Sequence, residues 1–315
     1  MTAIEAAQIL VVSLLVVALF LTFPLLVLVV WIVPAFLLHK LWNRIRGNPR
    51  APSASAESRR AAGRVRARMT RMAQPTLLLT PSKGAVFSKL GGDPELPASL
   101  PWPLGEKAPR AFLAQIDLAA ASAAGAPDWL PTGGRLYVFH DDQRYGFADL
   151  VRVLHSDEAP GAPRPPPPDL PAKQRFLERR ADFKKFTSVP SLDWLGVDVG
   201  DLDDDAVWDE LSDLHDAPFG DELQHRIGGY PSEIQNASLA VECEYLRRGI
   251  EPDWSAPVPP AIARASRQWR LLVQIDSDAA LKMAWGDSGR LYVFIREADA
   301  RAGDFSRTVA LSQWC

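Results

Sequence analysis

The polar residues with the most chemical potential in this chain occur twice. Gln115, Asp117 and Arg135 stand in FLAQIDL (112–118) and GGRLYVF (133–139), and Gln274, Asp276 and Arg290 stand in LLVQIDS (271–277) and SGRLYVF (288–294). An amide, a carboxylate and a guanidinium from each copy could converge on a cleft and grip a polar ligand or a peptide. The two carboxylates could also serve as the acid and base of a hydrolase. The competing reading is structural. Gln and Asp at a strand end satisfy turn backbone, and each Arg can pair with the Asp of its own unit. Asp287, in the WGDSG turn (285–289), is a further acid whose setting marks it as a ligand-binding candidate.

Other constellations are weak. The chain has no P-loop, dinucleotide fingerprint, CxxC pair, HExxH or GxSxG elbow. His225, Glu242, Cys243 and Glu244 lack a spacing that demands a metal, and Asp201, Asp203 and Asp205 begin a calcium loop in which Ala206 and Ser212 replace the turn glycine and the bidentate Glu. No metal and no cofactor is expected. Cys243 with a histidine could form a nucleophile pair, although a lone cysteine is more often a small buried hydrophobe. No residue is assigned a catalytic role, and a non-enzymatic protein is the expectation.

The elements that would position these groups follow from the repeat. LGGDPELP (90–97) and IGGYPSEI (227–234) precede the two QID segments, so the order GGxP, QID, GRLYVF recurs. Each QID and each LYVF segment reads as a strand, with Gln and Asp sharing one face and Ile on the other. Third strands are expected at 150–154 and 308–313. The expected fold is α+β: an internally duplicated, strand-rich domain over 74–315, with short helices and two halves, 74–157 and 224–315, packed around a pseudo-twofold axis. Residues 158–223 read as a connector. APGAPRPPPPDLPA (159–172) should be an extended polyproline spacer. Residues 193–222 carry twelve acids and no Lys or Arg, with a helix expected from 203–205 onward whose apolar stripe is Val207, Leu211 and Leu214.

Ahead of this domain, after a tail of residues 1–8, residues 9–38 are apolar and uncharged. As helix they would run about 45 Å at ~1.5 Å per residue, enough to cross ~30 Å of hydrocarbon with a bend at Pro24 and an exit at Pro34. A hairpin turning at Pro24 is the alternative. Ten Lys/Arg against Glu57 alone follow between Lys40 and Arg71, which predicts an inner-membrane, single-pass chain with its N-terminus out and its domain in the cytoplasm. The lipid bilayer is thus an expected partner, and 39–73 reads as a basic juxtamembrane linker, a topology signal on a flexible tether. Nucleic acid is not expected, because no aromatic residue interleaves with these arginines. The net charge of −3 conceals this basic block and the later acidic one.

The run GGDPELP, the WP at Trp102, FLAQIDL, HRIGGYP, LLVQIDSD, MAWGDSG and DFSR (304–307) resembles the YwqG-like family of bacterial proteins over about residues 77–315. The resemblance implies an α+β fold with internal duplication. It implies no established activity, so no catalytic residues carry over. The apolar segment and the proline-rich stretch depart from the family's usual soluble members. Together these features predict a membrane-anchored, non-catalytic binding module that takes a protein segment or small polar ligand in an inter-half cleft. The alternatives are a hydrolase with an acidic or cysteine site and, by loose family analogy, a partner that protects against a toxin.

Overall fold

The computed structural model describes residues 56–141, 150–197, 205–216, 223, 225–235 and 239–315. Helix α1 (Ala56–Arg71) leads into strands β1 (Gln74–Pro81), β2 (Lys89–Leu90) and β3 (Ala111–Asp117), then α2 (Leu118–Ala123), β4 (Arg135–His140) and β5 (Val151–Ser156). There follow β6 (Arg179–Ser188), α3 (Leu192–Leu195), α4 (Asp205–Asp216), β7 (Arg226–Gly228), α5 (Leu239–Arg248), α6 (Pro260–Ser266), β8 (Trp269–Asp276), β9 (Arg290–Arg296), α7 (Glu297–Arg301) and β10 (Val309–Gln313). All ten strands belong to one sheet in the order β10-β9-β8-β7-β1-β6-β2-β3-β4-β5, and every pairing is antiparallel.

This order corrects the expected fold class. Two α+β halves standing side by side give way to one continuous, strand-rich sheet with few, short helices. The reason lies at the centre, where β1 and β6 pair over eight residues, from Gln74 with Ser188 to Pro81 with Ala181. Each then bonds to the second strand of the other repeat: β1 to β7 and β6 to β2. The stretch expected to be a connector therefore supplies a central strand. The helix expected ahead of the domain, at 9–38, lies outside the described residues, as do the tail 1–8 and the start of the basic linker. Among the described residues no helix is long and apolar enough to cross a membrane.

The sheet is rolled almost shut. Ten strands spaced ~4.8 Å apart would hold the outer two about 43 Å apart if flat. Yet the ring of His155 on β5 lies 5.2 Å from that of Phe305, in the 3-10 turn Phe305–Arg307 just before β10. Val151 and Val153 of β5 share one buried cluster with Ile275, Val293 and Ala310 from the opposite end. The outer face is buried as well. Phe112, Tyr137 and Phe139 lie under Leu96 in the first repeat, and Leu271, Tyr292 and Phe294 lie under Leu239 and Cys243 of α5 in the second. Strands β3, β4, β8 and β9 are therefore apolar on both sides, which is why their sequences read as near-continuous hydrophobic runs.

Two expected linkers are ordered. The basic residues 56–71, expected on a flexible tether, form α1, an Ala/Arg-rich sequence of high helix propensity. It buries Met69 completely and pairs Arg66 with Glu210 of α4. The proline-rich stretch is docked over the first repeat. Gly161 N donates to Glu95 O (3.2 Å) and Arg164 N to Pro94 O (2.9 Å), while the Arg164 guanidinium reaches Leu100 O at 2.7 Å and Pro97 O at 2.9 Å. Helix α4 matches the expected start and buries Val207 and Leu211.

Candidate functional site

The duplicated polar residues do not form a shared cleft. Strands β3 and β8 are five steps apart in the ten-stranded sheet, which in the rolled sheet sets them on opposite sides. Each set works inside its own repeat, and the two glutamines do the same work. Gln115 and Gln274 are fully buried. Gln115 Oε1 accepts from Glu95 N at 2.9 Å and Gln274 Oε1 from Ser232 N at 3.0 Å. These two backbone groups follow the proline of each GGxP motif. Across the ladder, Gln115 faces Tyr137 and Gln274 faces Tyr292. The tyrosine hydroxyls donate to the carbonyls of the same two residues, at 3.0 Å to Glu95 O and 2.6 Å to Ser232 O. Burial pushes the Tyr137 hydroxyl up to about 12 and that of Tyr292 higher still, so both remain donors.

A buried cation completes each clamp. Lys89 and Arg226 are fully enclosed and stand two residues before the first motif glycine. Lys89 Nζ donates to Asp93 O (2.6 Å), and Arg226 Nη1 donates to Tyr230 O (3.0 Å). Bending the chain back onto these groups requires left-handed backbone at both glycines, and Gly91, Gly92, Gly228 and Gly229 all have φ between 61° and 73°. Lys89 also bonds Glu178 at 2.6 Å. Burial raises the Glu178 pKa, but Lys89 and Arg180 outweigh that and hold it below the usual carboxylate range. The sequence held a sign of this clamp in the matching KLGG and RIGG.

The remaining expected residues are also engaged. Asp117 caps α2 through Ala120 N at 3.0 Å. Asp276 accepts from Gln274 Nε2 at 2.9 Å and faces Arg290 at 3.4 Å. Arg135 donates to Glu158 O at 2.8 Å and lies 5.3 Å over the Phe87 ring, while Arg290 donates to Ser232 O at 2.8 Å. Asp287 is exposed in its turn, apart from both sets. His225 and Asp278 form a buried pair at 3.2 Å, and Arg179 bonds the same carboxylate oxygen. His225 Nδ1 accepts from Asp276 N, so Nε2 carries the proton. Burial lowers the pKa of His225. It would raise that of Asp278, but the bonds from His225 and Arg179 hold that group low. The pair is a closed, saturated lock across β6, β7 and β8. Cys243 is completely buried and its thiol is pushed well up by burial, which makes it a packing residue and not a nucleophile. Among the described residues no three His, Cys, Asp or Glu side chains are placed to hold a metal.

An accessible groove lies on the outer face of the second repeat, a cavity of about 550 Å³. One wall is α3, which Ser191 starts by accepting from Trp194 N at 3.1 Å and Gly196 ends at φ 64°. The other is built from α5 and α6, and the floor is the start of β8 with Tyr230 of the GGYP loop. Trp194 meets Tyr230 edge to face at 5.4 Å, and the Tyr230 hydroxyl is fixed between Met72 O (2.8 Å) and Gln74 Nε2 (3.1 Å). The rim is cationic, with Arg68, Arg267 and Arg270 against Asp193 alone. Arg270 is paired with Glu297 at 2.7 Å, whereas Arg68 and Arg267 are exposed with no side-chain bond or ion pair among the described residues. Glu233 ties the two walls together, accepting from Leu239 N of α5 at 3.0 Å and meeting Ser191 Oγ at 3.3 Å. Burial, reinforced by the charge of Asp193, pushes its carboxyl up to about 8.

Sequence reasoning missed this groove because its residues come from five separate segments. The visible signal was local: Trp194 set between a capping Ser191 and Gly196 in SLDWLG. Among curated proteins, none matches the chain. Residues 88–314 match a family described as a domain of unknown function, DUF1963, and the chain belongs to that family.

Proposed function

We propose that this member of the DUF1963 family is a non-catalytic recognition module that takes a protein segment in the second-repeat groove. The observation that carries the reading is the groove itself: open, about 550 Å³, lined by Trp194 and Tyr230 and rimmed by two exposed arginines, Arg68 and Arg267. Aromatic walls supply area at low entropic cost, and exposed guanidiniums offer donors to backbone carbonyls and carboxylates. The volume also lies within the ~300–1,000 Å³ of ligand sites. The polar residues that the repeat advertises are engaged within their own repeats, the two glutamines and Arg290 on the GGxP turns, Asp117 on a helix cap and Arg135 on Glu158 O, so the reading turns to this surface. Nothing comparable favours a hydrolase: Asp117 and Asp276 are engaged within separate repeats, and Asp287 stands exposed in its own turn, apart from both. The motif order GGxP, QID, GRLYVF supports a finer placement among YwqG-like proteins.

The test is a thermal-shift screen of peptides and metabolites against the full chain and against Ala263→Trp. Ala263 is a half-buried groove residue whose enlargement fills the space. Ligands that stabilise the wild type and lose the effect in the variant support the groove. Ligands that stabilise both equally overturn it.

A further inference from the structure

The groove has a counterpart in the first repeat, and the counterpart is already in use. Lys89 and Leu90 pair with Arg180 and Arg179 of β6, as Arg226 and Ile227 pair with Leu78 and Leu77 of β1. Phe176, three residues before Arg179, therefore stands where Gln74 stands before Leu77. Phe176 lines a first-repeat cavity together with Gly92, Asp93 and Phe112. Gln74 lines the second-repeat groove together with Gly229, Tyr230 and Leu271, the matching positions in GGxP and at the start of the QID strand. The two cavities are thus one feature, made twice.

They differ in what fills them. In the first repeat the cavity is about 230 Å³ and is walled by Pro166 and Leu170 of the proline-rich stretch. That stretch lies against Trp102 and Phe112, and its carbonyls are met by an arginine. Arg175 donates to Leu170 O at 2.9 Å and Pro168 O at 3.3 Å. Leu170 N closes one turn of this stretch onto Pro167 O at 3.0 Å; proline has no N–H, so most of its other carbonyls need outside donors such as this arginine. In the second repeat the cavity opens to about 550 Å³. Its aromatic pair is Trp194 and Tyr230, and Arg68 and Arg267 stand exposed at the rim. Val258 at its edge is exposed, and Trp254, 55% exposed, rests on Tyr245 of α5. Aromatic grooves with polar donors at the rim are the usual receptors for such segments.

We propose that the second-repeat groove takes a proline-rich segment of a partner protein, the chemistry that the first repeat packs against from its own chain. The proposal rests on the reading of this groove as the ligand site. The cationic rim favours a segment with an acid among its prolines, as Asp169 stands in the internal one.

The probe is a fluorescein-labelled peptide of residues 159–172, titrated with the full chain and followed by anisotropy. Beside it runs the same peptide with every proline replaced by alanine. The proline peptide should bind the wild type and bind at least tenfold more weakly to Ala263→Trp and to Arg267→Glu, a surface change that leaves packing intact. The alanine peptide should bind the wild type at least tenfold more weakly than the proline peptide does. If both peptides bind alike and both variants weaken them, the groove stands and the proline chemistry is overturned. If the proline peptide binds the variants as it binds the wild type, the groove falls with it. No binding at millimolar protein overturns the proposal and leaves the groove to the screen above.

Discussion

Replacing Gln274 with leucine separates a clamp from a ligand site. The side chain is fully buried, with Oε1 on Ser232 N at 3.0 Å and Nε2 on Asp276 Oδ1 at 2.9 Å. Leucine keeps the volume but strands a buried N–H, at about 1–3 kcal/mol, and removes a bond to a charged acceptor worth about 1.5–3 kcal/mol. Arg290 still faces Asp276 at 3.4 Å, so the second loss falls at the low end. The sum is about 2.5–4.5 kcal/mol, a drop in Tm of roughly 5–18 °C for a domain of this size. Gln115→Leu strands Glu95 N and Phe87 O and should cost a similar amount. Because the two glutamines lie five strands apart, the double variant should match the sum within about 0.5 kcal/mol. Urea unfolding of the full chain, followed by tryptophan fluorescence, measures all three. A cleft shared by both residues would give the opposite pattern, with small single losses and a coupled double. Single losses under about 1 kcal/mol, or a double that departs from the sum by more than that, would refute the clamp.

Three further outcomes follow from individual side chains. The Glu233 carboxyl is raised from 4.5 to about 8, so the folded state keeps a proton that the unfolded chain releases. The associated stability is complete below pH 4.5 and is lost as the pH climbs through about 8. Glu233→Gln should remove that slope from the unfolding free energy, and an unchanged slope would place the titration elsewhere. Iodoacetamide on the native chain should label exposed Cys315 and spare buried Cys243, as read by mass spectrometry; rapid labelling of Cys243 would contradict its packing role. Glycine to alanine should have opposite signs at two positions. Gly229 has φ +73° and a Cβ there would overlap Thr76 Oγ1 and Ser188 Oγ, so the change should cost at least ~2 kcal/mol. Gly63 lies within α1 with open space around it, so alanine should gain about 0.5–1 kcal/mol. Equal signs in denaturant melts would refute the backbone argument.

The strands carrying QID and GRLYVF were legible because their periodicity and their repetition agree, and the outer strands near 150 and 308 followed from spacing. Strand β6 was not. Its sequence, RRADFKKFTS, buries only Ala181 and Ser188 fully, so it offers no alternating apolar face, and prolines and acids flank it on either side. What makes it a strand is the backbone of β1, a partner about a hundred residues away. The candidate site failed for a related reason. Gln, Asp and Arg in a repeated motif have the chemistry of ligand binding, and the backbone of a nearby GGxP turn uses the same chemistry. Only the register, which sets Gln115 opposite Tyr137 and Gln274 opposite Tyr292, distinguishes the two uses.

The exchange of first strands gives the repeat its physical consequence. If β1 paired with β2 and β6 with β7, each repeat would be a separate five-stranded sheet with an exposed edge at its first strand. With β1 on β7 and β6 on β2, both of those edges are consumed, and the β1–β6 ladder joins the sheets across eight residue pairs. Neither repeat can then fold to its observed form without the other. The same exchange places the residues before β1 and before β6 at equivalent cavities, each beside the GGxP turn of the opposite repeat's sheet. One of these approaches is the C-terminal end of α1, and the other is the proline-rich stretch. The asymmetry that leaves one cavity narrowed to about 230 Å³ and the other at about 550 Å³ therefore arises from what precedes each exchanged strand, while the clamps beneath the two cavities stay alike.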